Sequence, residues 1–79
     1  MKVLKFYADW CQPCKQLSTI VESTGIEVTN INIEEELDAA VEYKIRSVPT
    51  CVVLDDSGAE VRRKTGMMTA DEFKQFAKV

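Results

Sequence analysis

Apolar positions along the chain alternate between two patterns. Short runs rich in β-branched and aromatic residues predict strands at 3–7, 26–33, 50–54 and 60–65. Between and after them, apolar residues recur at helical spacing, which predicts helices at 11–23, at about 34–44 and from 69 onward. The pattern therefore predicts the element order β-α-β-α-β-β-α.

Each predicted helix has an apolar face and recognisable end signals. The apolar positions are Trp10, Cys14, Leu17, Ile20 and Val21 in the first helix, Leu37, Ala40 and Val41 in the second, and Phe73, Phe76 and Ala77 in the third. Gly25 is a stop signal for the first helix, and the acids at 34–36 favour the start of the second. Thr69 and Glu72 have the spacing of a capping box, which begins the third.

The connections between strands predict a mixed sheet. A strand-helix-strand crossing favours parallel pairing of the first two strands with a right-handed connection. The turn at 55–58 makes the last two strands an antiparallel hairpin, with the apolar run 50–54 central and the charged run 60–65 at an edge. The prediction is an α/β fold in one domain, residues 1–79, with a four-stranded mixed sheet flanked by three helices.

Composition excludes several functional classes. The chain has 79 residues, with 10 Lys+Arg against 13 Asp+Glu and a net charge of −3, so it lacks the basic face that nucleic acids or anionic membranes require. No run approaches the ~20 apolar residues of a membrane span, and the first residues do not resemble a signal peptide. The absence of His excludes catalytic His residues and His-ligated metals.

The candidate chemistry lies in the segment Cys-Gln-Pro-Cys. Cys11 and Cys14 follow a predicted strand and begin a helix, and their spacing brings the two sulfurs close enough to bond. The helix start stabilises a thiolate on Cys11, Pro13 fits the first turn, and Lys15 adds a positive charge. Cys11 is therefore suited to attack a disulfide, and Cys14 to resolve the mixed disulfide that forms.

Two alternatives concern the cysteines. Zinc needs about four ligands, and only Cys51 could join the pair, so a zinc site would need carboxylates or a second chain. Cys51 lies within an apolar run, which favours a buried, unreactive thiol over a regulatory one.

The segment Phe6-Tyr7-Ala8-Asp9-Trp10-Cys11-Gln12-Pro13-Cys14-Lys15 resembles the active-site segment of the thioredoxin family. Later blocks follow in the family's order: Asn32-Ile33-Glu34, then Tyr43-Lys44-Ile45-Arg46-Ser47-Val48-Pro49-Thr50, and finally Thr65-Gly66. The resemblance covers nearly the whole chain and implies a minimal thioredoxin fold.

The resemblance also implies roles for residues outside the motif. Pro49 would be a cis proline against the disulfide, and the backbone of Val48 would pair with an extended substrate. Trp10, Val48, Gly66 and Met67 would form an apolar docking surface. Without the family context, Trp10 and Met67 would be core residues and Pro49 would be trans.

The chain departs from the family pattern at several points. It begins at the family's second strand, and its length is closer to a glutaredoxin, as in short forms from bacteriophages and some prokaryotes. Gln12 replaces the usual Gly, while the Pro-Tyr and late Gly-Gly of glutaredoxins are absent. Lys5 matches the family's buried Asp, and Asn30 matches its Lys partner. Either the Lys5 amine reaches water, or it stays near Cys14 and stabilises that thiolate.

The resemblance predicts a reductase of protein disulfides that carries its own redox-active disulfide, Cys11–Cys14, and needs no bound cofactor. Its electrons would come from an NADPH-dependent thioredoxin reductase, or from glutathione if the protein is glutaredoxin-like. Ribonucleotide reductase is a candidate client. The expected setting is the cytoplasm, of the host if a phage encodes the chain, and the expected state is a monomer. The rival from another class is a thioredoxin-like binding subunit of a larger complex.

Overall fold

A four-stranded sheet with helices packed on both faces organises the computed structural model, which describes residues 1–78. The elements are β1 (Lys2–Tyr7), α1 (Gln12–Thr24), β2 (Thr29–Asn32), α2 (Leu37–Glu42), β3 (Thr50–Leu54), β4 (Glu60–Thr65) and α3 (Ala70–Ala77). This order confirms the one predicted from the sequence. The end of the predicted domain, Val79, lies outside the described residues.

The sheet has the strand order β2-β1-β3-β4. β1 runs parallel to β2 and antiparallel to β3, and β3 forms the predicted antiparallel hairpin with β4. All five residues of β3 are buried because this central strand is covered on both faces. β4 is an edge strand, and most of its side chains are exposed.

Alternate side chains of the central strands pack on opposite faces of the sheet, as the pleat of a strand requires. Val3 and Val53 lie in one buried cluster with Leu17 and Val21 of α1 and Phe73 of α3. The other face carries a second cluster, formed by Leu4, Phe6, Ile31, Val52 and Leu54. Two buried layers thus hold β1 in place, and the end of β1 leads directly into the cysteine motif.

The apolar face predicted for α2 is wrong. Leu37 and Val41 are 64% and 75% exposed, whereas Ala39, Tyr43 and Ile45 pack against the sheet. α2 has only six residues, so its periodicity does not determine which side faces the sheet. The contacts with the sheet come instead from Ala39 within the helix and from Tyr43 and Ile45 after it.

The predicted start of β2 is also wrong. The sequence predicts a strand over 26–33, but the strand spans only Thr29–Asn32. Among the described residues, β2 pairs with β1 alone, over the register from Leu4 to Tyr7. Ile26 and Val28 precede the strand, where they pack against the cluster beneath α1 and α3.

The helix ends follow the sequence signals closely. Gly25 ends α1 in the left-handed region, with φ of 73°. Thr69 and Glu72 form the predicted capping box at the start of α3. Within residues 1–78, no helix is both long enough and apolar enough to cross a membrane.

Candidate active site

The junction between β1 and α1 positions the two cysteines. After β1, the backbone turns so that the N–H of Cys11 donates to the carbonyl of Ala8 at 3.1 Å. Cys11 then takes the N-cap position of α1 in an extended conformation, and Pro13 lies in the first turn as predicted. β1, which is buried in the core, therefore places Cys11 at the start of α1.

Cys11 and Cys14 form a disulfide, with their Cα atoms 5.2 Å apart. The backbone N–H of Cys14 donates to Cys11 Sγ at 3.1 Å, and both residues are almost fully buried. A donor directed at this sulfur, at the positive end of a helix, favours its thiolate form once the disulfide is reduced. This geometry agrees with the predicted disulfide and with the predicted stabilisation of a thiolate on Cys11.

A proline loop lies beside the disulfide. The Val48–Pro49 peptide bond is cis, as the resemblance predicts, and Pro49 is buried. The carbonyl oxygen of Val48 is 3.7 Å from Cys11 Sγ, and Val48 packs against the cluster formed by Ala8, Cys11 and Cys14. The structure therefore brings Val48 and Pro49 to the redox centre.

The glycine loop is tied to the proline loop. The N–H of Gly66 donates to the carbonyl of Pro49 at 2.8 Å. Gly66 has φ of 98°, a conformation that disfavours any residue with a Cβ, although no atom lies within 4 Å of an added Cβ. The hydrogen bond holds Gly66 next to the cis proline.

Two of the proposed docking residues are exposed. Trp10 is 66% exposed and Met67 is 40% exposed, so neither belongs to the core. Met68, the next residue, is buried in the cluster beneath α1 and α3. Exposure agrees with a surface role for Trp10 and Met67, but substrate binding by these residues stays a prediction.

The Lys5 side chain is buried and does not extend into water, and the suggested effect of its amine on Cys14 stays a prediction. It is only 3% exposed, and its amine donates to Ser18 Oγ on α1, one turn beyond Cys14. The amine also lies 5.3 Å from the centroid of the Tyr7 ring. Burial lowers the pKa of Lys5, against weaker opposing influences of Cys51 and Glu22.

The predicted influence of Lys5 and Lys15 on the active-site thiols stays a prediction. The Tyr7 ring beneath the Lys5 amine packs against the group formed by Ala8, Cys11 and Cys14, so it connects Lys5 to the surroundings of the disulfide. Lys15 is exposed on the first turn of α1.

Cys51 is the free cysteine, and it is fully buried, as the sequence predicts. Burial raises the pKa of its thiol to about 11, although the nearby Lys5 ammonium partly offsets this effect. A buried thiol that stays protonated at neutral pH is a poor nucleophile. These properties agree with the unreactive role expected for Cys51.

The alternative of a zinc site finds no ligand set. Cys11 and Cys14 are bonded to each other. Among residues 1–78, no group of three or more Cys, Asp or Glu side chains is arranged to hold a metal ion. The arrangement can instead exchange a disulfide for two thiols without a metal.

The sequence analysis missed part of the surroundings of the disulfide. Ala8 is buried with the cysteines, and Tyr7 and Ile33 pack against this group. Ser18 was missed as the partner of Lys5. Its position four residues after Cys14 was a usable signal, because residues i and i+4 share a helix face.

Comparison with known proteins gives consistent results. The family model described as Thioredoxin matches residues 1–79. A thioredoxin of Buchnera aphidicola subsp. Acyrthosiphon pisum is 36% identical over 80 residues, covering 94% of this chain and 73% of that relative. The SPbeta prophage-derived thioredoxin-like protein YosR of Bacillus subtilis is 30% identical over 66 residues, covering 84% and 82%.

Solved structures show the same fold. A single-site mutant of the thioredoxin from Halobacterium salinarum superposes with a TM-score of 0.87 at 34% sequence identity, covering 96% of this chain and 70% of that structure. Fold, disulfide and sequence agree on the same assignment. The chain belongs to the thioredoxin family, and its Cys11–Cys14 couple makes it a thiol–disulfide oxidoreductase.

Proposed function

We propose that the protein acts as a reductase of protein disulfides, with Cys11 as the attacking thiol and Cys14 as the resolving thiol. The observation that carries this assignment is the Cys14 N–H, which donates to Cys11 Sγ at 3.1 Å. This donor favours a thiolate on Cys11 and not on Cys14. Cys14 lies in the first turn of α1 and is 1% exposed, which suits a thiol that reacts only within the protein.

The reaction takes two exchanges. The Cys11 thiolate attacks one sulfur of the substrate disulfide, a bond forms between them, and the other substrate sulfur leaves as a thiolate that takes up a proton. Cys14 then loses its proton and attacks Cys11 Sγ, which forms the Cys11–Cys14 disulfide and releases the second substrate thiolate. Two electrons pass to the substrate, and the protein ends in the oxidised state seen in the structure.

Substrate docking is assigned to the loops around the disulfide. The Val48 carbonyl, 3.7 Å from Cys11 Sγ, would accept a hydrogen bond from an extended substrate backbone. Trp10 and Met67 would supply exposed apolar contact area, and Gly66 would allow close approach of the substrate. Pro49 would hold this loop against the sulfurs.

Membership of the family supports a proposal for the electron donor, the clients and the location of the protein. We place an NADPH-dependent thioredoxin reductase upstream as the electron donor, and ribonucleotide reductase among the candidate clients. The cytoplasm is the proposed location, because a disulfide reductase needs a reducing supply of electrons. The protein is proposed to act as a monomer with no bound cofactor.

Turnover with defined electron donors tests this function. With NADPH and thioredoxin reductase, the wild-type protein should catalyse reduction of a protein disulfide such as that of insulin. Cys11→Ser should abolish turnover because no attacking thiolate remains. Cys51→Ala, which removes the third cysteine outside the site, should retain it. Loss of activity in Cys51→Ala with Cys11→Ser unaffected would overturn the assigned roles.

A parallel assay with glutathione and glutathione reductase distinguishes the alternatives. Turnover with glutathione but not with thioredoxin reductase would favour a glutaredoxin-like enzyme. If Cys11→Ser instead retained the biological activity of the protein, the chain would act as a binding subunit and not through its thiols.

A further inference from the structure

A second polar site lies away from the sulfurs, between β1, β2 and α1. A pocket of about 260 Å³ opens there, and Lys5, Tyr7, Ser18 and Asn30 form its polar lining. The volume is several times the ~30 Å³ that one water molecule occupies in the liquid. The pocket therefore has room for a small organic molecule as well as for water.

The buried cation in this pocket has few partners. An ammonium has three N–H donors. Within residues 1–78, Lys5 Nζ donates a hydrogen bond to one acceptor, Ser18 Oγ. Among these residues, the amine forms no ion pair at 4.0 Å or less. The Tyr7 ring lies beneath the amine, with its centroid 5.3 Å from Lys5 Nζ, and it interacts through its π face and not as a hydrogen-bond acceptor. Two donors of a side chain that is almost fully buried are therefore left for whatever fills the pocket.

Glu22 also lines the pocket, but burial lowers the pKa of Lys5 despite this carboxylate, so the buried charge is only partly compensated. An anion that accepts from the remaining donors offsets part of that cost. Asn30 is the cross-strand neighbour of Lys5 in the β1–β2 register, and its amide can also donate. Ammonium and amide donors that converge on one pocket suit a carboxylate, which accepts through two oxygens.

The rest of the lining restricts the ligand further. Val21 and Val28 form apolar wall on the side of α1 and the chain before β2, which suits an aliphatic body. Glu22 also lines the pocket, and it is exposed. Its carboxylate would repel a second negative charge, so dianions are disfavoured.

We propose that this pocket binds a small aliphatic monocarboxylate, whose carboxylate accepts hydrogen bonds from Lys5 Nζ and whose alkyl group packs against Val21 and Val28. The site lies outside the Cys11–Cys14 centre and needs no redox step. It can therefore exist whether or not the protein reduces disulfides.

An NMR titration of the oxidised protein with butyrate at pH 6 tests the site. Backbone amide shifts should saturate, with the largest changes at Lys5, Ser18 and Asn30. Butylamine, which keeps the alkyl group but carries a positive charge, should not saturate. Succinate should bind more weakly than butyrate because of Glu22.

Two variants probe the ammonium, and one serves as a control. Lys5→Met should weaken butyrate binding about tenfold or more, a loss of about 1.4 kcal/mol or more. Asn30→Asp places a carboxylate beside Lys5 on an exposed position and should also weaken binding, without any burial of a new group. Lys2→Met, which removes an exposed ammonium from the same strand, should leave the affinity unchanged.

Several results would overturn the proposal. One is shifts that do not saturate, which would mean that the pocket holds water only. Another is equal affinity in wild type and Asn30→Asp, a variant whose folding does not depend on Lys5. Equal binding of butylamine and butyrate would also exclude a carboxylate site. Because the disulfide stays intact throughout, these outcomes are independent of the reductase assay.

Discussion

At the scale of single residues, the two active-site sulfurs differ in what surrounds them. Cys11 Sγ accepts the Cys14 N–H at 3.1 Å and lies at the N-terminal end of a 13-residue helix. Cys14 lies within the first turn and is buried against Ala8. Both sulfurs lie near the helix N-terminus, but Cys11 Sγ is the one that accepts a backbone N–H, so a thiolate should form more readily on Cys11.

In the reduced protein, we expect the pKa of the Cys11 thiol to lie below that of an ordinary cysteine, because the Cys14 N–H and the helix start stabilise its thiolate. Alkylation rates measured across pH, with peptide mapping of the label, locate this thiolate. Cys51 serves as an internal control, because it is buried and should react slowly at every pH tested. Preferential labelling of Cys14 near neutral pH would contradict the assignment of roles.

Cys51 should make the protein less stable in alkali. Its pKa is raised in the folded state to about 11, from 9.0. The folded state therefore keeps the proton while the unfolded state releases it, so stability is fully present below pH 9 and is lost as pH rises to 11. Two pKa units correspond to about 2.7 kcal/mol at most.

Chemical denaturation at several pH values measures this effect. Both proteins compared carry Ser in place of Cys11 and Cys14, which removes the other thiols. The free energy of unfolding should fall more steeply from pH 9 to 11 in the protein that keeps Cys51 than in the one with Cys51→Val. Lys5, whose lowered pKa acts in the opposite sense, is present in both proteins, but the Cys51 thiolate raises its pKa. The comparison therefore measures Cys51 together with its effect on Lys5. Parallel curves would show that the Cys51 thiol does not control alkaline stability.

At the scale of elements, α3 depends on its N-terminal cap. The Thr69 hydroxyl accepts the Glu72 N–H at 3.1 Å, and the Glu72 carboxylate accepts the Thr69 N–H at 2.8 Å. The cap begins the helix that carries Phe73 into the core. The same contact lowers the pKa of Glu72, chiefly through the backbone N–H of Thr69.

Removal of this cap should destabilise the protein. Thr69→Ala should lower the free energy of unfolding by about 1 kcal/mol, because it leaves a helix N–H without its side-chain acceptor. Thr19→Ala is the matched control, since Thr19 is an exposed threonine within α1 and only bonds back to the Lys15 carbonyl. Equal losses in the two variants, measured by denaturant unfolding, would contradict a specific role of the cap.

The sequence predicted those elements that carry strong local signals. Gly25, the Thr69–Glu72 spacing and the apolar run of β3 each act over a few residues, and the corresponding elements agree with the structure. The face of α2 was not predictable in this way, because Tyr43 and Ile45 reach the core only after the helix has ended. The extent of β2 depends on how far β1 pairs with it, which is a property of the sheet and not of the segment.

The same distinction applies to the active site. The bond between Cys11 and Cys14 follows from spacing alone, and the position of Pro49 beside it followed from the family resemblance. The position of Ser18 on the same helix face as Cys14 can be inferred locally, but its contact with Lys5 depends on how α1 packs against β1. Side chains that meet across elements are where the sequence alone was insufficient.

At the scale of the whole molecule, the two edge strands of the sheet, β2 and β4, are where another chain could pair. β2 is a four-residue edge, and β4 carries mostly charged side chains on the opposite edge. Arg63 pairs with Glu60 and also donates to the Tyr43 carbonyl, while Arg62 donates to the carbonyls of Phe76 and Lys78. Short and charged edges resist pairing with other chains.

We therefore expect a monomer at every accessible concentration. Sedimentation equilibrium should give a mass near 8.9 kDa without dependence on concentration. Lys64→Val, which removes an exposed charge from β4, should increase self-association, whereas Lys74→Val on α3 should not. A dimer mass for the wild-type protein would show that these edges do not keep the chains apart.

The hydrogen bond between Gly66 and Pro49 has a consequence for how such a protein can diverge. Pro49 immediately precedes β3 and Gly66 immediately follows β4, so one hairpin carries both proposed recognition loops, while β1 and α1 carry the sulfurs. The sulfurs and most of the proposed recognition residues are thus encoded in two separate stretches of the gene, with Trp10 beside Cys11 as the exception. Mutations or recombination in the second stretch can give a descendant new clients while it inherits the electron-transfer centre unchanged.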